Sequence, residues 1–424
     1  MKNIVLFGAG KSASCLIDYL SQTCLTHQWT LSVADTDPEA LNEKLAGLPA
    51  VYPVQVNVEN TVERNALIEK ADLVISLLPP ALHILIARSC VAKTKNLLTA
   101  SYIDEKTRML AAEIGNAGLL FLYEMGLDPG IDHMSAMRLI DRIRSEGGKI
   151  SSFRSHTGGL VAPESDDNPW HYKISWNSRN VVRAGSGGAL FKEKHQIHQI
   201  TYQNIFENTG TVTDEQFGTY SFYPNRDSLG YISIYGLQEA GTFIRTTLRH
   251  PDFCRGWKDI VSAGLTDDQK PVSSSIKTVA EWSASLSAYV NAFNKPLFDF
   301  LGFFEHHPLP AGATTSADVL QFLLETKWKM QDQDKDMIVM LHELEFSINQ
   351  KKQALKSSLL VKGENKLRTA MAKTVGLPLG ITARLILENK IRLQGLRIPI
   401  IPEIYQPVLQ ELEMHGIRFL DTVS

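Results

Sequence analysis

The chain has 424 residues, 44% hydrophobic and 21% charged, which is too long for one ordinary core and fits a globular protein of two or three domains. Its formal net charge of −3 argues against a general nucleic-acid binder or a binder of anionic membranes. The four cysteines, Cys15, Cys24, Cys90 and Cys254, form no Cys-x-x-Cys pair and no Cys/His cluster, so neither structural zinc nor a disulfide framework is expected, and a reducing cytoplasm suits them. A strand pattern starts within three residues of Met1, with no signal or transit sequence before it. No uninterrupted apolar run of about 18 residues predicts a transmembrane helix.

The first 125 residues alternate strand and helix. "NIVLFG" (3–8) is an apolar run ending in glycine, followed by a helical stretch over about 11–22. "TLSVAD" (30–35) is a second strand. In "DPEALNEKLAG" (37–47), Asp37 suits an N-cap, Pro38 the first helical position and Gly47 the stop. "VYPVQVNV" (51–58), "DLVISLLP" (72–79), "NLLTAS" (96–101) and "LLFLYE" (119–124) continue the strands. Both faces are apolar, as in a parallel sheet covered by helices on both sides, so the alternation predicts a doubly wound α/β fold. In "GLDPGIDHM" (126–134), Asp128 is placed to cap a helix with Pro129 in its first turn, and Ile131, Met134, Met137 and Ile140 form a buried stripe.

After residue 148 the pattern changes. "KISSFRSHTGGL" and "YKISWNS" alternate like half-buried strands, and strand-like pieces recur at 219–224, 231–235, 242–249, 337–348 and 353–362. These predict an α+β domain with a mixed or antiparallel sheet. Residues 252–330 read as a small helical insertion, 366–389 as a helical region interrupted by Gly376 and Pro378, and 403–416 as one more amphipathic helix.

Gly8-Ala-Gly10-Lys11-Ser12-Ala13 fits G-x-G-x-x-A directly after a strand and at the start of a helix, the context that a dinucleotide fingerprint needs. Gly8 permits the tight turn, Gly10 lets the backbone approach a pyrophosphate, and Ala13 keeps the helix close to the sheet. The helix N-terminus offers amide donors and the positive end of its dipole. Asp35 ends the second strand, where a carboxylate accepts hydrogen bonds from ribose hydroxyls and repels a 2′-phosphate. The sequence that follows, "TDPE", holds no arginine. NAD is therefore the expected cofactor, with NADP less favoured.

"GLDPGIDHM" (126–134), "APESDDNPWHYKISWNSR" (162–179), "YPNRDS" (223–228), "IRTTLR" (244–249) and "MAKTVGLP" (371–378) together resemble the saccharopine dehydrogenase family of the glutamate-forming type; "VISLLP" (74–79) and "TASY" (99–102) fit it as well. The resemblance spans the chain in order and is weakest over 252–330. It implies a reversible oxidation at a secondary amine: saccharopine and a nicotinamide cofactor give an imine, which is hydrolysed to L-glutamate and 2-aminoadipate 6-semialdehyde, in lysine metabolism. It implies a Rossmann domain over 1–125 onto which 366–424 packs back, a substrate domain over 126–251 and 331–365, the helical insertion at 252–330, and a homodimer. A small-molecule substrate is the expected partner, with no nucleic acid and no membrane.

For the cofactor the resemblance implies Gly8, Gly10, Lys11, Ser12, Ala13, Asp35, Thr36, Asn57, Val58, Leu77, Leu78, Ala100, Ser101, Leu127, Asp128 and Pro129. For the substrate it implies Ser101, Tyr102, Asp128, Lys173, Trp176, Arg226, Arg245, Thr246 and Thr247. A substrate with three carboxylates needs fixed cations, and arginine suits bidentate carboxylate recognition. Proton transfer could fall to Asp128, Tyr102, His133, His156 or Lys173; Asp128 and Tyr102 are the expected catalytic residues. Two positions depart from the family: His156-Thr157 stands where Tyr-Cys is common, and Thr246 where glycine is usual. A threonine hydroxyl is far less acidic than a thiol. Two other readings stay open: a related imine-reducing dehydrogenase of the carboxynorspermidine or lysine 6-dehydrogenase type, and a nucleotide-binding regulator without catalysis. His195-x-x-His198 has a helical metal spacing without supporting carboxylates, and no metal is expected.

Overall fold

Residues 3–7 are almost wholly buried apolar side chains, and they form an inner strand of a parallel sheet. A computed structural model describes residues 1–424, the side chains of residues 40 and 43 excepted. In chain order the first elements are β1 (Asn3–Phe7), α1 (Ser14–His27), β2 (Thr30–Asp35), α2 (Pro38–Leu45), β3 (Val51–Gln55), α3 (Thr61–Glu69), β4 (Leu73–Ser76), α4 (His83–Ala92), β5 (Asn96–Thr99), α5 (Glu105–Arg108), α6 (Ala111–Asn116), β6 (Leu120–Leu122) and α7 (Ile131–Ser145). A short 3-10 turn, Lys11–Ala13, joins the fingerprint to α1. The stripe foreseen on α7 is buried: Ile131, Met134, Met137 and Ile140.

The second stretch carries β7 (Lys149–Val161), α8 (Ser178–Val182), β8 (Ala189–Glu193), β9 (Gln196–Ile200), β10 (Gly210–Asp214), β11 (Gly218–Pro224), β12 (Arg226–Asp227), α9 (Gly230–Ile234), β13 (Thr242–Arg249), α10 (Pro251–Ser262), α11 (Val279–Trp282), α12 (Lys295–Leu301), α13 (Ser316–Lys327), β14 (Asp336–Ile348) and β15 (Lys351–Lys362). The chain then returns through α14 (Ala370–Leu387), β16 (Gly395–Arg397), α15 (Pro402–Met414) and β17 (Leu420–Val423).

Two compact units result: Met1–Arg142 with Leu367–Arg418, and Ile143–Lys366 with Phe419–Ser424. The first holds a seven-stranded sheet in the order β16-β6-β5-β4-β1-β2-β3. Every pairing in it is parallel. The order reverses between β1 and β4, and in such sheets ligands bind outside the carboxyl ends of the strands at that point. The second unit holds a ten-stranded mixed sheet with the path β10-β11-β13-β7-β14-β15-β17 and a branch through β8, β9 and β12. The α/β and α+β expectations are met.

Several boundaries differ from the sequence expectation. Most of α7 belongs with the first unit rather than the second, and the last six residues belong with the second, where β17 pairs with β15. The helical stretch 252–330 is no separate domain. Trp257, Leu286, Phe298, Leu320 and Leu324 share one core with Trp170, Tyr172, Phe191 and Tyr223. Residues 231–235, expected as a strand, lie in and beside helix α9; the Asp227 carboxylate accepts from the Leu229 N–H at 2.8 Å and starts the turn.

The helix α14 runs unbroken through Gly376 and Pro378. Its glycine has a packing reason: a Cβ on Gly376 would stand 2.7 Å from the backbone nitrogen of Leu16 on α1. This helix is long and apolar enough to cross a membrane, a length the sequence reading missed, but its residues are mostly buried inside the protein.

Candidate active site

The fingerprint folds as its residue types require. Gly8 has φ 99, and a Cβ there would stand 2.8 Å from the Leu77 carbonyl oxygen, so only glycine fits. Its N–H donates to the Ala34 carbonyl at 2.9 Å, and Leu77 N–H donates to the Phe7 carbonyl at 2.8 Å. Gly10 behaves differently: a Cβ built on it meets nothing within 4 Å. That open space, with Lys11 and Ser12 in the 3-10 turn that leads into α1 and Ala13 buried, fits the close approach of a pyrophosphate.

Asp35 is already engaged by the backbone. One carboxylate oxygen accepts from the Ala9 N–H and the other from the Thr36 N–H, both at 2.7 Å. The ammonium of Lys44 on α2 donates to the carbonyls of Ala9 and Gly10, and burial lowers its pKa against the pull of Asp35. Asn57 sits in the turn after β3 and accepts from the Glu59 N–H at 3.0 Å. Val58 is buried in the core, with its carbonyl held by Arg64. Leu78 is half-buried in the loop after β4 and packs against the same core.

The loops after β5 and β6 form a second cluster at the same carboxyl edge. The Tyr102 hydroxyl donates to Asp128 at 3.1 Å. Both side chains are half-buried. Asp128-Pro129 is a cis peptide and α7 starts at Ile131, so Pro129 lies before the helix rather than in its first turn. Asp132, in the first turn of α7, accepts from the Gly130 N–H at 2.6 Å. Leu127 is buried, and Ala100 lies where a Cβ on Gly126 would reach 2.9 Å, a reason for glycine there.

Two residues in this cluster escaped the sequence reading. His83, at the start of α4, bridges Ser76 (Nδ1, 2.8 Å) and Ser101 (Nε2, 2.7 Å). Burial pushes its pKa down to about 4 against the attraction of Asp104, so near neutral pH it is an uncharged imidazole with one donor and one acceptor nitrogen. It thereby fixes the Ser101 hydroxyl. Glu124, at φ 59, accepts from the Ile103 N–H at 3.3 Å and pairs with the buried His133 at 2.8 Å. The pair staples the Tyr102 loop to α7, which gives His133 its supporting role. A lone histidine on an apolar helix carries no such signal in sequence.

In the second unit, "YPNRDS" and "IRTTLR" come together. The Asn225 N–H donates to the Arg245 carbonyl at 2.9 Å, and the Arg245 N–H donates to the Ser228 hydroxyl at 3.0 Å. Between these bonds Arg226 is exposed, at φ 54. Arg245 is buried, its guanidinium 4.6 Å over the ring of Tyr231, a cation–π geometry. Strand alternation puts Thr247 on the face of Arg245 and turns Thr246 to the other. There Thr246 bonds His156 Nδ1 at 2.7 Å. His156 Nε2 lies 3.3 Å from Glu343, and that hydrogen bond takes the Glu343 carboxyl down to about 2 against the effect of burial.

Thr157 pairs in register with Thr247. Its buried hydroxyl finds no hydrogen-bond partner among the described residues. Lys173 is held by Asp167 at 2.8 Å and Asp334 at 2.7 Å; burial works against its charge, but the two carboxylates outweigh it and raise the pKa. Trp176 packs at the edge of the aromatic core and donates to the Tyr172 hydroxyl at 3.1 Å. His195 and His198 lie on the β8–β9 hairpin rather than on a helix, with Lys194 and His195 turning at φ 49 and 66; the helical metal spacing does not exist.

Comparison with known proteins follows the same division. Residues 4–122 match the family model of the saccharopine dehydrogenase NADP binding domain, and residues 126–417 that of the saccharopine dehydrogenase C-terminal domain. The chain is 31% identical to an alpha-aminoadipic semialdehyde synthase of Arabidopsis thaliana over 99% of its own length, but spans only 44% of that protein. It is 31% identical to the saccharopine dehydrogenase [NADP(+), L-glutamate-forming] of Saccharomyces cerevisiae, covering 98% of each chain. The structure of the apo yeast saccharopine dehydrogenase (L-Glu forming) superimposes with a TM-score of 0.88 over 100% of both chains, at 28% identity.

These matches overturn the expectation of NAD over NADP. The domain model is that of an NADP binding domain, and the yeast relative is named for NADP(+). The physical reason lies in Asp35. One of its oxygens ties the fingerprint loop to β2 through the Ala9 N–H and the other accepts from the Thr36 N–H that follows it, so its presence has a structural reason besides ribose discrimination.

Proposed function

The chain belongs to the saccharopine dehydrogenase family, and from that premise we propose that it is an NADP-linked oxidoreductase of lysine metabolism, cleaving saccharopine reversibly to L-glutamate and 2-aminoadipate 6-semialdehyde. The observation that carries this reading is the Tyr102–Asp128 hydrogen bond at the carboxyl edge of the parallel sheet. It puts a carboxylate beside a phenol where the fingerprint directs a nicotinamide nucleotide.

The nucleotide supplies hydride transfer when bound. Gly8, Gly10, Lys11, Ser12 and Ala13 would hold its phosphates, and Lys44, close to Asp35, brings positive charge to the end of β2, where a 2′-phosphate needs it. Oxidation at the carbon beside the bridging nitrogen releases one proton from the amine. Asp128 takes that proton, and the Tyr102 hydroxyl holds the carboxylate in place and steadies its charge. Water then adds to the imine carbon, and the same pair returns a proton to nitrogen as the carbon–nitrogen bond breaks. Ser101, held by His83, and Glu124 with His133 keep the loop that carries Tyr102 in position.

Arg226, Arg245 and Thr247 bind substrate carboxylates, with Thr157 offering its orphaned hydroxyl. Clustered arginines favour a polycarboxylate over a polyamine, which would call for acidic side chains. The test is absorbance of the reduced nicotinamide with saccharopine and either NADP or NAD. Turnover with NADP is expected. No turnover of folded protein with either cofactor overturns the reading, and a preference for NAD overturns only its cofactor part.

A further inference from the structure

The first loop of the second unit and the start of α10 bring together side chains that the proposed reaction does not use. His171, His250 and Asp252 each offer a ligand atom, and the three atoms lie within 4.8 Å of one another. We propose that these three residues form a binding site for a first-row divalent cation, zinc foremost. The site departs from the absence of metal expected from sequence, because its histidines are 79 positions apart in the chain and meet only through the fold.

The two separations to Asp252 suit a shared cation better than direct hydrogen bonds. His171 Nε2 lies 3.5 Å and His250 Nδ1 3.4 Å from the same oxygen of Asp252. Both exceed the roughly 2.7–3.2 Å of a good N–H···O bond. Both match the edge, about 3.4 Å, of a tetrahedron whose corners lie about 2.1 Å from its centre, the usual zinc–nitrogen and zinc–oxygen distance. The two imidazole rings face each other with centroids 3.7 Å apart. Two nitrogens and one carboxylate oxygen suit zinc, and the remaining position is open to water because all three side chains are only about two-thirds covered, at 32%, 32% and 28% exposure.

The surroundings support ligation. His171 Nδ1 is bonded to Asp166 Oδ2 at 2.6 Å. A carboxylate behind a histidine ligand fixes the tautomer that leaves Nε2 free to coordinate. Arg255 pairs with the other oxygen of Asp252, so Oδ2 is the atom turned to the imidazoles. His250 Nδ1 accepts a capping bond from the Asp252 N–H at 3.2 Å, and the cation would replace that one bond. Bound there, it would pin the loop carrying His171 to the N-terminus of α10, beside the contact in which the Arg249 guanidinium lies 5.2 Å over the Tyr172 ring.

Two substitutions test the site without threatening the fold. His171 sits at φ 51, so His171→Gly removes a ligand and relaxes the backbone. His250→Asn removes a ligand and keeps a good N-cap. The full chain, without a histidine tag, is titrated with zinc chloride by calorimetry and with cobalt chloride by visible absorbance, with magnesium chloride as control. One zinc ion per chain is expected, with each variant binding at least about tenfold more weakly, and zinc should raise the melting temperature of the parent but not of the variants. Absence of zinc binding by the parent at a roughly hundredfold molar excess, or equal binding by parent and variants, overturns the proposal.

Discussion

The two units handle buried polarity in different ways. In the first, uncharged or mutually satisfied groups hold loops. His83 stands neutral between two serine hydroxyls, Tyr102 donates to Asp128, and Glu124 meets His133. In the second, cations are sunk among aromatic rings: Arg245 over Tyr231, and Arg249 over Tyr172 and Phe253, with the Arg249 Nε lacking a hydrogen-bond partner among the described residues. A buried cation faced with π-systems keeps its charge and its appetite for an anion. The first arrangement suits a place where a proton is handed over and geometry must not drift; the second suits a place that recognises negative charge. Lys173 is held between two carboxylates, Asp167 and Asp334.

Four experiments break or sharpen that contrast. Asp128→Asn, which keeps the shape and removes the base, should lower kcat by about 10²–10⁴ with little change in folding; a loss below about threefold would move proton transfer elsewhere. Next is the neutral His83. The unfolded chain binds a proton at that residue near pH 6.5 and the folded chain only near pH 4. Its stabilising contribution is therefore complete above pH 6.5 and declines as the pH falls toward 4, by up to about 3 kcal/mol. His83→Gln should flatten that part of the curve in chemical denaturation, and an unchanged slope would mean the imidazole is not buried neutral.

Arg245→Met removes one carboxylate partner, and kcat/KM for saccharopine should fall about 10- to 100-fold, mainly through KM, while NADP affinity stays as it was. Equal losses for both ligands would erase the division of labour. The smallest effect concerns packing in the first unit. Gly376→Ala pushes a methyl against the Leu16 backbone and should destabilise by about 1–3 kcal/mol; the readout is the urea midpoint, and no shift would show that the helices slide apart freely.

The first unit was far more legible in sequence than the second, for physical reasons. Parallel strands buried on both faces leave runs such as "NIVLF" and "LVIS", and the fingerprint glycines announce the turn they build. The strands β8 and β9 join through Lys194 and His195 at positive φ, positions usually marked by glycine or asparagine, so nothing in the sequence marked the hairpin and its two histidines kept only a helical spacing. In α9, five residues of alternating texture close into a turn, and the Asp227 carboxylate just before it accepts from the Leu229 and Gly230 N–H groups. Tyr102 and Asp128 were readable through the resemblance. His83 and Glu124 were not, because Ser101 and Ile103, which they hold, follow a different strand and only the sheet order makes them neighbours. Asp35 was readable but ambiguous: a carboxylate at a strand end serves the ribose or the loop, and its bond to the Ala9 N–H shows that it holds the loop.

The crossing of α14 on α1 has a consequence in time. The helix that begins at the fingerprint is backed by residues more than 350 positions later, with Gly376 and Gly380 pressed against Leu16 and Tyr19. Contacts of such separation form late, since most of the chain must be gathered before they close. During synthesis the segment from Met1 to Arg142 emerges with its parallel strands complete except for β16 and with the outer side of α1 bare. Nucleotide affinity should therefore arise abruptly, once Leu367–Arg418 has emerged, and not gradually as the strands are added.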